Sequence, residues 1–317
     1  MSSPRIIHHA LNDMSYHIVS VDEPECRLTS SKGQLLLTGK DGITKSIPME
    51  DVAALVITSF KCNLTNSLLL EAVRRRIGIV LCEMFKPAAI VLPTSRATDT
   101  PIIRNLANLT SQVKNRLWGK TLTAKCLNQC AIAREWMPKH PNLPAMLRLA
   151  TSIKETREAE VAKLYWSVFA DAHCGGCFVR DRENSDANTL LNYAYAILLS
   201  LVLRYLLAFG IDPTFGIFHS SRAHSTPLAY DLMEPFRPMF DKQVAAWLQE
   251  QPAQSGITRE FRAFIGQTLD RPVIYGGTEM TLRATIEKVI RSFRKAVELN
   301  QVGPYEPWKI STTKWDG

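Results

Sequence analysis

The chain has 317 residues, 46% of them hydrophobic and 21% charged, which excludes a disordered or low-complexity protein and leaves room for two domains with cores of their own. Its formal net charge of +8 points to an acidic partner, of which nucleic acid is the commonest, although charge alone names none. Seven cysteines, an odd number set mostly in apolar contexts such as Val80-Leu81-Cys82, imply no disulfide framework and suit a reducing compartment.

Met1 to Asn12 is polar and lacks an apolar stretch, so no signal peptide is expected and the protein is expected to be cytoplasmic. From Tyr16 to about Pro93, short β-rich runs alternate with turn signals: Gln34 to Thr38, a Lys40-Asp41-Gly42 hairpin turn, Ala53 to Thr58, and Ile77 to Leu81. A single helix, Asn66 to Arg75, is expected among them, capped by Thr65. Beyond Asp99 the period becomes helical, with runs over 101–128, 154–172, 188–208, 240–249 and 280–300. The expected fold class is α+β: a small amino-terminal β-rich domain (1–93), a larger all-α domain (94–301), and an irregular tail (302–317). That tail, with Pro304, Pro307, Trp308 and Trp315, is either flexible or a docking peptide.

Leu190 to Phe209 is apolar enough to raise a transmembrane helix. Asn192, Arg204 and three tyrosines within it favour a buried core helix instead, so no membrane partner is expected. Asn188 and Asn192, one turn apart, are expected to cap or crosslink neighbouring elements rather than to act in the chemistry. Basic residues gather at Lys114, Arg116, Lys120 and Lys125, and again at Arg283, Lys288, Arg291, Arg294 and Lys295. Arg283, Arg291 and Arg294 share a helical face able to follow a phosphate backbone; interrupted by Glu287 and Glu298, the same face also reads as a solvated one. Cys174-Gly175-Gly176-Cys177, after His173, has the spacing of half a zinc site, with Cys126 and Cys130 as the other half; a Gly-Gly turn carrying two thiols is the simpler reading.

The chemistry is concentrated between His219 and Pro238. A histidine and two carboxylates, Asp231 and Glu234, stand amid apolar residues, where their burial is costly unless something pairs with them; a divalent cation would. Asp231 and Glu234, three apart, share one face if the segment is helical. Pro235 and Pro238 remove the N–H groups that would bond the carbonyls of Asp231 and Glu234, so a kink or an early helix end is expected. The alternative is a Pro-kinked amphipathic helix with solvated acids and an ordinary core histidine. A third carboxylate, Glu158, lies on the stripe Glu158, Val161, Ala162, Tyr165, Phe169, whereas Glu160 falls about 200° away and should face solvent. Glu155, one turn earlier, is the second choice.

These segments resemble a known family, the CRISPR-associated integrases of spacer acquisition, or CRISPR-associated protein one. The resemblance rests on Glu158 followed by Tyr165-Trp166, on Asn188 with Leu191-Asn192-Tyr193 and Tyr195-Ala196-Ile197-Leu198, on Gly210, Asp212-Pro213, Gly216 and His219, and on Asp231-Leu232-Met233-Glu234-Pro235-Phe236-Arg237-Pro238. It extends to Gly33-Gln34-Leu35, Ile47 to Val52 and Leu64 to Leu69 in the amino-terminal part, and departs at Ala159, where many relatives have Gly.

The resemblance implies that the helical domain is the catalytic one and that Glu158, His219 and Glu234 are metal ligands, with Asp231 a nearby or alternative ligand. Two carboxylates and one imidazole suit Mg2+ or Mn2+. The implied function is that of a metal-dependent DNA endonuclease and integrase that inserts short foreign duplexes into a CRISPR array by 3′-OH transesterification. It implies as partners double-stranded DNA (the foreign fragment and the CRISPR repeat), a second copy in a homodimer, and a small dimeric CRISPR adaptation protein. Arg237, Arg283, Arg291 and Arg294 are the candidate DNA contacts. Two alternatives share these residues: a nuclease that only hydrolyses branched or duplex DNA, and a non-catalytic DNA-binding subunit whose acids pair with arginines such as Arg237.

Overall fold

The computed structural model describes residues 17–59, 61–75, 77–83, 86–91, 100–151, 157–180, 186–220, 226–250 and 256–311; Glu155 and Trp315 lie outside them. Among the described residues the amino-terminal part holds eight strands: β1 (His17–Val21), β2 (Glu25–Ser31), β3 (Gln34–Gly39), β4 (Thr44–Pro48), β5 (Val52–Ile57), β6 (Lys61–Leu64), β7 (Gly78–Glu83) and β8 (Lys86–Val91). They form two four-stranded sheets, ordered β4-β3-β2-β6 and β1-β5-β7-β8. The expected hairpin turn joins β3 to β4: the Asp41 carboxylate accepts from the Ile43 N–H (3.0 Å) and Gly42 takes a left-handed φ of 77°. Helix α1 (Asn66–Arg74) starts where its cap predicts, the Thr65 hydroxyl accepting from the Leu68 N–H.

The parallel strands β5 and β7 are buried on both faces, which explains their unbroken apolar runs. Side chains alternate across the pleat. Leu55, Ile57 and Ile79 therefore enter the core between the sheets, whereas Val56 and Val80 join the larger helical core.

The carboxy-terminal part is mostly helical: α2 (Thr100–Ala107), α3 (Ser111–Trp136), α4 (Leu143–Thr151), α5 (Glu158–His173), α6 (Asp186–Ala208), α7 (Pro227–Met233), α8 (Arg237–Glu250), α9 (Arg259–Gly266) and α10 (Leu282–Leu299). The expected run 101–128 is two helices, because the Thr110 hydroxyl accepts from the Val113 N–H and starts a new one. A two-stranded hairpin, β9 (Pro272–Tyr275) with β10 (Thr278–Thr281), interrupts the all-α expectation. Helix α6 is long and apolar enough to cross a membrane, but 78% of its most apolar window is buried within the protein. It packs on β5 and β7, with the Arg204 guanidinium donating to the Val52 carbonyl (3.1 Å).

Residues 302–311 have no regular structure, yet they are docked rather than loose. Tyr305 and Trp308 are fully buried, Trp308 stacks on Phe236 (5.6 Å, 5°), and its indole N–H donates to the Ile274 carbonyl. Lys120 donates to the carbonyls of Val302, Gly303 and Tyr305. Asn128 donates to the Trp308 carbonyl and accepts from the Ile310 N–H.

Candidate functional site

Four chain segments meet at one place: the middle of α3, the first residue of α5, the loop before α7, and the α7–α8 junction. At that junction the prolines act as expected. Helix α7 ends at Met233, Glu234 to Phe236 forms one 3-10 turn, and α8 restarts at Arg237. The Asn128 amide donates to the Pro235 carbonyl (2.7 Å), tying this turn to α3.

Glu158 opens α5, where the amino-terminal end of the helix dipole favours a carboxylate. Glu160 is exposed, as its angle around the helix predicts. Glu158 reaches a residue that the sequence placed elsewhere: the Lys125 ammonium forms ion pairs with both Glu158 and the buried Glu234, the latter at 2.7 Å. Two carboxylates distant in sequence thus face each other across a single nitrogen. Arg237 pairs with the other Glu234 oxygen at 3.0 Å.

Burial pushes the Glu234 pKa up, but the charges of Arg237 and Lys125 outweigh it and hold the carboxyl below its usual range. Burial works against the Lys125 ammonium as well, and the two glutamates raise its pKa all the same. Lys125 therefore does not belong to a surface basic strip with Lys114, Arg116 and Lys120. A signal was present in the sequence: a single cation set among Leu122, Ala124, Cys126 and Leu127 is as costly to bury as the acids are.

Asp231 and Glu234, though three apart, do different work. The fully buried Asp231 accepts from the backbone N–H groups of Ile217 (2.7 Å), Phe218 (3.1 Å) and His219 (3.1 Å), and from His219 Nδ1 (2.7 Å). A carboxylate can only accept, so Nδ1 carries a hydrogen, and in the neutral form of the ring Nε2 is the lone-pair nitrogen. The turn allows this because Gly216 has no side chain: a Cβ there would stand 2.3 Å from the His219 carbonyl oxygen and 2.9 Å from Pro227 Cβ.

Behind the glutamates lies a second buried carboxylate, Asp241, which accepts from the hydroxyls of Tyr165 (3.0 Å) and Tyr195. Burial raises its pKa to about 6 against the lowering effect of those hydrogen bonds. The Arg237 guanidinium lies over the Tyr195 ring (4.8 Å). Arg180 ties Asn188 (2.7 Å) to Asn192 (2.9 Å), the crosslinking role expected of the two asparagines.

The remaining expected DNA contacts are not at this site and have acid partners: Arg283 pairs with Asp270 (2.9 Å), Arg291 with Glu287 (2.6 Å), and Arg294 with Glu298 (2.6 Å). The Arg291–Glu287 pair is exposed and therefore weak, whereas the Arg283 side chain is only 13% exposed and Arg294 also donates to the Phe209 carbonyl (3.1 Å). Cys174 and Cys177 flank a turn in which Gly175 and Gly176 both have positive φ. Cys126 and Cys130 are buried on α3 with thiols pushed up to about 12. The Gly-Gly turn fits the simpler reading of that motif.

Among the described residues no three His, Cys, Asp or Glu side chains are grouped tightly enough to form a metal cage. The donor chemistry nonetheless suits a hard divalent cation: Glu158 and Glu234 already converge on one positive atom, and Glu234 Oε2, though 2.7 Å from Lys125, makes no well-directed hydrogen bond.

A family model described as CRISPR associated protein Cas1 matches residues 19–260. The chain is 29% identical over 280 residues to the CRISPR-associated endonuclease Cas1 of Neisseria meningitidis serogroup C (strain 8013), covering 86% of this chain and 89% of the relative. Its fold is similar to that of a casposase bound to an integration product (TM-score 0.76, 18% identity, 93% of this chain and 96% of that one). It is similar also to a chain of a Cas6-RT-Cas1–Cas2 complex (TM-score 0.79, 15% identity, 97% of this chain and 37% of that one).

Proposed function

The chain belongs to the Cas1 family of CRISPR-associated proteins, and on that premise we propose that it is a divalent-metal-dependent DNA endonuclease and integrase of spacer acquisition. The observation that carries the reading is the convergence of Glu158 and Glu234 on one cationic position, next to a histidine whose tautomer is set by a buried aspartate. Glu158, Glu234 and His219 would hold Mg2+ or Mn2+. The bound ion would supply Lewis acidity at the scissile phosphate and a lowered pKa at the attacking hydroxyl.

The chain's own residues have definable parts in such a reaction. In strand joining, a DNA 3′ oxygen forms a bond to phosphorus while the bond to the displaced 3′ oxygen breaks. The proton lost by the first oxygen is matched by one gained by the second, so the number of phosphodiesters is unchanged. Lys125 and Arg237, held close to the reacting position, offset charge on the phosphoryl oxygens. Asp231 fixes the His219 ring so that no reorientation is needed when the substrate arrives. With water in place of the 3′-OH, the same geometry hydrolyses DNA.

The proposed partners are duplex DNA, a second copy of the chain and a small dimeric adaptation protein, with the likeness to a Cas1–Cas2 assembly as support for the last. A cytoplasmic location follows from a chromosomal substrate. The test is strand joining by Glu158→Ala and His219→Ala: loss of joined product with duplex binding retained is expected, and full activity in either variant overturns the site. Joined product, as opposed to cleaved ends alone, separates the integrase from a hydrolytic nuclease.

One observation favours a second reading, a non-catalytic DNA-binding subunit: Lys125 and Arg237 already neutralise Glu158 and Glu234. Calorimetric titration with Mn2+ decides between them, since ion-paired acids that serve structure alone give no saturable binding.

A further inference from the structure

Phe218 stands beside the site, and among the described residues it is the only aromatic in the group of large apolar side chains that are strongly exposed, at 49%. A single exposed apolar side chain is ordinary on a protein surface. This one is held in an unusual way. Its ring lies parallel to the buried indole of Trp118, with centroids 4.3 Å apart and planes 4° from coincidence. Its backbone N–H is bonded by Asp231, as are those of Ile217 and His219 on either side, so the ring is carried on a pinned turn. One face of Phe218 is therefore backed by a rigid aromatic wall, and its exposure lies on the opposite face. The His219 ring meets Phe218 edge-on at 5.3 Å.

A planar group on the open face would become the third layer of a Trp118–Phe218 stack, with its attached backbone next to His219. Lys114, one helical turn before Trp118 on the same face of α3, favours a planar group carried on an anion. A nucleotide is both. We propose that the outer face of Phe218 is a stacking platform for a nucleobase of the reacting DNA strand, seating the base adjacent to the phosphodiester that the site acts on. A base inside a duplex already has neighbours on both faces, so the one that stacks here is unpaired or terminal, and the DNA is splayed at the site. Phe218 is in this account a positioning residue. The proposal rests on the reading of this site as one that acts on DNA.

The test uses the full chain and a branched DNA in EDTA, with 2-aminopurine placed in turn at each position flanking the branch. Stacking on Phe218 quenches the probe at one or two positions. Phe218→Ala and Phe218→Leu abolish that quenching and weaken binding about tenfold, in line with alanine truncation of base-stacking aromatics; Phe218→Tyr and Phe218→Trp retain both. Leucine keeps apolar packing against Trp118, so a matched melting temperature separates lost stacking from misfolding. Wild-type quenching and affinity in Phe218→Leu at every position overturn the proposal. Because the binding measurement needs no metal, quenching without joined product in a metal-containing assay supports the platform and sinks the integrase. Joined product with no Phe218-dependent quenching does the reverse, and failure of the wild type to bind DNA sinks both.

Discussion

Replacing Lys125 by Met tests the electrostatic account most directly. The substitution leaves the buried Glu234 with Arg237 as its remaining ion-pair partner, while Glu158, with 27% of its side chain exposed, turns to water. Removing one partner of a buried ion pair costs about 3–5 kcal/mol, because the other charge stays behind desolvated. Retained Arg237 and relief of the lysine's own desolvation place this case near ~3 kcal/mol. For a chain of this size, at about 2 °C per kcal/mol, that is a fall of ~6 °C in Tm. Differential scanning calorimetry at pH 7 reads it. Since Glu234 is held below its ordinary pKa, its stabilising contribution is present above pH 4.5 and is lost as pH falls through its folded value. The gap between wild type and Lys125→Met should therefore narrow in acid. A single variant that melts with the wild type, or a gap that does not narrow in acid, refutes the reasoning.

Asp241 titrates in the opposite sense: its folded pKa, raised from 3.8 to about 6, means that the native state holds a proton that the unfolded chain has released. Wild type should lose about 3 kcal/mol of stability relative to Asp241→Asn as pH rises from about 4 to about 6, two pKa units at 1.36 kcal/mol each, and parallel urea-midpoint profiles for the two proteins contradict this. Gly216→Ala should reduce strand joining at least tenfold with far-UV circular dichroism unchanged, since a methyl 2.3 Å from the His219 carbonyl must move the turn that carries the imidazole; retained activity shows that the turn yields. Trp308→Ala should cost about 3–5 kcal/mol in chemical denaturation, as for other buried tryptophans, because the ring stacks on Phe236 directly under the Glu234 turn. A neutral result there means that the tail does not support the site.

What the sequence determined by itself was local. The Thr65 cap, the Asp41-Gly42 turn and the early end of α7 before Pro235 were legible because each depends on residues within one turn of one another. The buried face of α5, with Glu158 at its start and Glu160 outside, followed from the helical period. The family and its ligand candidates were legible as residue types in order. Tertiary structure decided the partners. Which cation neutralises Glu158 and Glu234, that Asp231 serves the His219 turn, that Phe218 leans on Trp118, and that the aperiodic 302–311 segment is core are all long-range facts. Side-chain type and spacing limit where a charge can point along its own helix. Whether a counter-charge waits there depends on a segment a hundred residues away, and only packing brings the two into contact.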